Sequence, residues 1–128
     1  MKLLLDTHTF LWFIMGNTKL SDNARKLMED TDNEKLLSVV SIWEMAIKAS
    51  LGKLSFAEPF EVLIPQQLKL NGIELLNIKT EHAAIITTLP FHHRDPFDRL
   101  LIAQSMVERL PILSADINFD NYPIERVW

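Results

Sequence analysis

The 128-residue chain has no cysteine. Disulfides and thiolate metal sites are therefore excluded, and any metal must be held by oxygen or imidazole. It also lacks an apolar run that could span a bilayer. The opening MKLLLDTHTFLWFIMGN is interrupted by Asp6 and His8, has no small-residue cleavage site, and reaches about half the length of a membrane helix. Neither a signal peptide nor a membrane anchor is expected, and the default is a cytoplasmic protein. Internal repeats, low-complexity tracts and Ser/Gly linkers are missing as well, so residues 1–128 read as a single domain. Positive charge is scarce: 13 Lys and Arg stand against 17 Asp and Glu, a net charge of −4. That counts against nucleic-acid binding, which normally rests on a basic surface. The objection weakens if several acids converge on one pocket and divalent cations supply the local positive charge.

A core is well provided for. The hydrophobic fraction of 48% and charged fraction of 23% are ordinary for a globular protein and argue against disorder. Short apolar runs at 2–5 (KLLL), 35–40 (KLLSVV), 73–78 (IELLNI) and 111–114 (PILS) read as buried strands, and IERVW at the end as a short fifth. Between them lie helical patterns. THTFLWFIM (7–15) is apolar around most of its circumference and needs cover on more than one side. DNARKLMED follows Ser21, SIWEMAIKASLGK starts at Ser41, and TEHAAIITTL starts at Thr80 and must end near Pro90. PFDRLLIAQSMVERL spans 96–110. PFEVLIPQQLKL (59–70) looks helical, with Pro65 expected to kink or split it. Strands alternating with helices predict βαβ units, an α/β fold with a mostly parallel sheet and helices on both faces. Ligands in such folds bind beyond the carboxyl ends of the strands.

Three acids stand where that rule looks, and a fourth can join them. Asp6 follows KLLL at once, Glu44 lies in the first turn after LLSVV, and Asp116 is two residues beyond PILS; Asp98 can join them from a helix N-terminus. Crowded carboxylates repel one another and are costly unless a cation occupies the cluster, and hard ions such as Mg²⁺ or Mn²⁺ favour all-oxygen ligands. Each acid has a plainer reading too. Asp6 could cap the helix that follows it. Glu44 fits a capping box with Ser41 and an i,i+4 pair with Lys48. Asp95 suits an N-cap before Pro96, with Asp98 in the first turn favoured by the helix dipole. Asp116 could be a turn residue in SADIN.

Other polar and aromatic residues are less telling. His8 and the adjacent His92 and His93 lack HxxxH or HExxH spacing, so a histidine metal site is not expected. Trp12, Trp43 and Trp128 read as core or interface residues, and Phe91 and Phe97 as packing under the loop they bracket.

Taken together, MKLLLDTHTFLWF, SVVSIWEMAIK, HHRDPFDRLLIAQS and PILSADINFDNY resemble the PIN-domain family, in particular VapC toxins of bacterial toxin–antitoxin pairs. The segments occur in family order from residue 1 to about residue 122, and DPFDRLLIAQ is the most specific. The resemblance implies a three-layer α/β/α sandwich with metal-holding, catalytic acids at Asp6, Glu44, Asp98 and Asp116. Thr7 and Ser114 match polar positions beside the first and fourth acids, and Asp95 a subgroup position for capping or outer support. It further implies Mg²⁺ or Mn²⁺ dependence, no nucleotide cofactor, and hydrolytic cleavage of RNA to a 5′-phosphate and a 3′-hydroxyl. A homodimer and a small antitoxin inserting into the cleft are also implied. Lys48, Lys53, Arg94 and Arg99 are candidates to grip RNA phosphates, each with surface solvation as its alternative. Two other readings remain. One is a domain that binds RNA or protein without turnover. The other is an aspartyl-nucleophile phosphohydrolase similar to haloacid dehalogenases, which want a second Asp where His8 stands.

Overall fold

Leu3, Leu4 and Leu5 are all fully buried, which a strand achieves only when both faces of its sheet are covered. The computed structural model describes residues 1–128, and this strand is β1 (Lys2–Leu5), the centre of a five-stranded sheet. The chain continues through α1 (Thr7–Met15), α2 (Asp22–Glu29), β2 (Glu34–Ser38), α3 (Val39–Ser50) and α4 (Phe60–Leu70). Then come β3 (Ile73–Leu76), α5 (Thr80–Ile86), α6 (Pro96–Glu108), β4 (Ile112–Leu113), a 3₁₀ turn at Ile117–Asn121 and β5 (Arg126–Val127). The strand order is β3-β2-β1-β4-β5 and every pairing is parallel.

Alternation along the strands divides the core in two. Leu5, Leu37 and Leu113 face one side and pack with Phe10, Ala24, Met28, Met45 and Ile64 from α1 to α4. Leu4, Leu36 and Ile112 face the other and pack with Leu101 and Ile102 of α6, Leu89 and Phe119. Each such fully buried aliphatic side chain contributes about 1.5–3 kcal/mol. The result is the α/β/α sandwich expected, with a sheet that is wholly parallel.

The order of the strands has a functional consequence. From β1 the chain steps outward through β2 and β3, then returns to place β4 on the opposite flank of β1. The switch point therefore lies between β1 and β4, beyond whose ends Asp6 and Ser114 emerge.

Two local expectations are revised. The second strand ends at Ser38 rather than residue 40, because the Ser38 hydroxyl accepts the Val40 N–H and caps α3 early. Ser41 thus sits inside α3 and forms no capping box with Glu44. Pro65 does not split α4. The carbonyl it leaves unpaired belongs to the exposed Glu61 in the first turn, where water can replace the bond.

Candidate active site

Asp6 occupies the N-cap position of α1 yet makes no side-chain capping bond. Its Oδ2 instead accepts the Ser114 hydroxyl at 2.7 Å. Only 6% of the residue is exposed, and burial pushes its carboxyl above the usual range against the pull of Ser114 and His8. The same serine hydroxyl accepts the Asp116 N–H at 3.0 Å, so one buried group ties the first acid to the fourth.

Glu44 is buried on α3. The Thr7 hydroxyl lies 2.8 Å from Glu44 Oε1 and 2.8 Å from Ser41 Oγ. A carboxylate can only accept, so Thr7 gives its single proton to Glu44 and receives that of Ser41. Glu44 Oε2 pairs with Lys48 Nζ at 2.8 Å, the i,i+4 contact expected of this helix.

Asp98 is held by the start of α6. Asp95 caps the helix, accepting the N–H groups of Phe97 at 2.8 Å and Asp98 at 3.2 Å, and Pro96 fills the first turn. The Asp98 carboxyl is pushed up to about 8, by burial first and then by repulsion from Asp6, Asp95, Glu44 and Asp116. It therefore feels all three other candidate acids. Asp116 caps the 3₁₀ turn through Oδ1, which accepts the Asn118 N–H at 3.0 Å, while Oδ2 lies 3.2 Å from His93 Nε2.

Acids from the end of β1, α3 and the segment after β4 thus lie near enough to Asp98 on α6 to raise its carboxyl. Lys48 and His93 are the only basic groups within ion-pair distance of them. Such an under-neutralised set of oxygens suits a hard divalent cation, and donor atoms of His93, Asp98 and Asp116 lie within 4.8 Å of one another.

The candidate phosphate-gripping residues do not stay together. Lys48 reaches Glu44, and Lys53 and Arg94 are exposed. Arg99 is a correction: it is 5% exposed, and its guanidinium donates to the carbonyls of Leu89, Pro90 and His93. With those donors spent inside the protein, it is not free to grip RNA. Phe91 is another, since it is 80% exposed and covers the Arg99 guanidinium at 4.0 Å instead of packing under the loop. Phe97 packs edge-on against the exposed Trp43 at 5.3 Å. Both line an apolar cleft of about 610 Å³, with Val40, Ile86, Phe91 and Leu100.

The contact of His93 with Asp116 carries no signal in the sequence. The two adjacent histidines point apart: the His92 ring packs edge-on against Tyr122 at 5.1 Å, and His93 turns inward to Asp116. The HH pair carries no spacing signal that says which of the two goes in.

Comparison with known proteins gives a consistent picture. The PIN domain family matches residues 3–125. Ribonuclease VapC16 of Mycobacterium tuberculosis is 35% identical over 63 residues, 49% of this chain and 45% of that protein. The match therefore spans less than half the length of that relative. Among solved structures, a chain of the VapBC2 complex from Rickettsia felis, bound to a promoter DNA fragment, superposes with a TM-score of 0.72 at 15% identity. That superposition covers 99% of this chain and 98% of the other. FitAcB from Neisseria gonorrhoeae gives a TM-score of 0.70 at 16% identity over 98% and 96% of the two chains. A toxin–antitoxin complex from Klebsiella pneumoniae gives 0.66 at 16% over 98% and 96%.

Proposed function

This chain belongs to the PIN-domain family, and on that premise we propose that it is a metal-dependent endoribonuclease, the toxin of a toxin–antitoxin pair. The reading is carried by the placement of Asp98 near Asp6, Glu44 and Asp116, whose charges add to burial in raising its carboxyl. Such an arrangement is costly without a cation. Asp6, Glu44 and Asp98 would hold Mg²⁺ or Mn²⁺, with Asp116 supporting it directly or through water. A cation held there supplies Lewis acidity toward water and the phosphate.

The chain's own groups prepare that site. Ser114 orients Asp6, Thr7 orients Glu44, and Asp95 fixes the helix start that presents Asp98. Lys48, Lys53 and Arg94 are the basic groups left to meet the RNA backbone. In the overall reaction water adds to phosphorus and the P–O3′ bond breaks, giving a 5′-phosphate and a 3′-hydroxyl. Residues 1–128 would act as one domain, as a homodimer in the cytoplasm. No helix is long and apolar enough to cross a membrane. The net charge of −4 supports a basic antitoxin segment as partner. It equally favours a second reading, a domain that binds a basic peptide without turnover.

Labelled structured RNAs incubated with Mg²⁺, Mn²⁺ or EDTA separate the two. Site-specific cuts by wild type that need metal and vanish in Asp6→Asn are expected. Cuts that persist in the variant would overturn the assignment of the site, and no cuts on any RNA would favour the silent domain.

A further inference from the structure

We propose that His93 is a positioning residue for Asp116, donating a hydrogen bond from Nε2 that sets the carboxylate, without itself becoming a metal ligand. The inference rests on the metal-dependent reading above and concerns a side chain that reading does not use.

The ring is held on every side. His93 is 7% exposed, stacks on Phe119 at 5.0 Å and 23°, and lies against Tyr122 at 5.6 Å. Its backbone N–H donates to the Tyr122 hydroxyl at 2.8 Å, and that hydroxyl donates to the Pro90 carbonyl at 2.9 Å. Its carbonyl accepts from Arg99 at 3.3 Å. The buried guanidinium of Arg99 thus fastens the loop whose ring meets Asp116.

The position of the ring proton separates the two roles that proximity alone leaves open. A neutral imidazole has one N–H. Nε2 faces Asp116 Oδ2 at 3.2 Å, whereas Nδ1 is buried with no partner. With the proton on Nε2, a charge-assisted bond forms and the group left alone is a bare lone pair. With the proton on Nδ1, as ligation through Nε2 requires, a buried N–H would have no acceptor and Nε2 would face a carboxylate lone pair to lone pair. Ligating histidines almost always donate their second N–H to an acceptor, and His93 has none to offer it to. The closeness of His93 to Asp98 and Asp116 is therefore that of an orienting donor. With Oδ2 held by His93 and Oδ1 by the Asn118 N–H, the Asp116 carboxylate is fixed at both oxygens.

Two measurements test this. In the metal-free full chain, long-range proton–nitrogen correlation of the imidazoles should show His93 protonated at Nε2 and bare at Nδ1; the opposite tautomer would overturn the proposal. Mn²⁺ titration followed by electron paramagnetic resonance should then show affinity falling about 10–100-fold in His93→Phe, which keeps the stacked ring and loses the donor. His93→Gln, whose amide N–H reaches toward the Nε2 position, should restore most of that loss. Wild-type affinity in His93→Phe, or a Gln variant as weak as the Phe variant, would reduce the residue to packing and refute the positioning role. Nitrogen modulation from a His93 ligand in the spin echo of bound Mn²⁺ would refute it too. If wild type takes up no Mn²⁺, the metal-dependent reading fails, and the tautomer still decides the His93–Asp116 bond.

Discussion

Ser114 and Asp6 stand 108 residues apart, and the Ser114 hydroxyl reaches Asp6 Oδ2 over 2.7 Å inside the protein. The parallel register explains it: Leu5 pairs with Leu113, so the next residue of each strand leaves the sheet beside the other. Ser114→Ala removes the donor to Asp6 and the acceptor for the Asp116 N–H together. Unsatisfied buried groups of this kind cost about 1–3 kcal/mol each. A urea midpoint lowered to match, with weaker Mn²⁺ binding, is expected; an unchanged midpoint would show that water replaces the hydroxyl.

Much of this architecture was legible in the sequence. Leu3–Leu5 announced a strand buried on both faces, and Asp6, Glu44 and Asp116 stood where strand ends deliver ligand-binding residues. What was not legible depended on tertiary competition. Ser38 and Ser41 are equally good caps by type, and only the packed chain chose Ser38 and left Ser41 to donate to Thr7. Arg99 looked like a surface cation because nothing local shows that three carbonyls would fold over it. The inward turn of His93 is hidden for the same reason, since its partner Tyr122 lies 29 residues further on.

Asp98 predicts a pH signature. Its folded carboxyl titrates at about 8, against 3.8 for a freely solvated aspartate, mainly because of burial. The folded state then binds the proton more tightly than the unfolded one, so the contribution of Asp98 to metal-free stability is fully present below pH 4 and is lost as pH rises to about 8. Asp98→Asn lacks this penalty. Denaturant melts should show the variant more stable than wild type at pH 8, with the gap closing toward pH 4. Saturating Mn²⁺ should stabilise wild type at pH 8 far more than the variant. Parallel pH curves without metal would remove Asp98 from the repelling cluster.

Arg99 and Arg94 should part company in any salt series. Arg99→Met loses the charge and the planar fork and strands carbonyls of Leu89, Pro90 and His93, at a cost of about 2–4 kcal/mol. It should leave the salt dependence of RNA binding unchanged. Arg94→Ala on the exposed loop should do the reverse, with little change in stability and a salt slope reduced by about one phosphate contact. A slope that drops in the Arg99 variant, measured where it is fully folded, would return that residue to the RNA surface.

Lys48 sets two effects against each other. Its ammonium pairs with the buried Glu44 at 2.8 Å while a third of its side chain remains exposed. Without metal it supplies counter-charge to the acids, so Lys48→Met, which keeps the apolar stem, should destabilise the metal-free protein. Solvent screening limits that loss to about 1–2 kcal/mol. With metal the sign reverses. Two cations near one carboxylate repel, by up to about 4 kcal/mol per charge pair at 4 Å in a medium of intermediate dielectric. Removing the ammonium should therefore tighten Mn²⁺ binding even as it lowers the thermal midpoint of the metal-free chain. Calorimetric titration and melting of the same variant read both arms. Weaker Mn²⁺ binding in Lys48→Met would mean that the lysine orients Glu44 for the metal and does not compete with it.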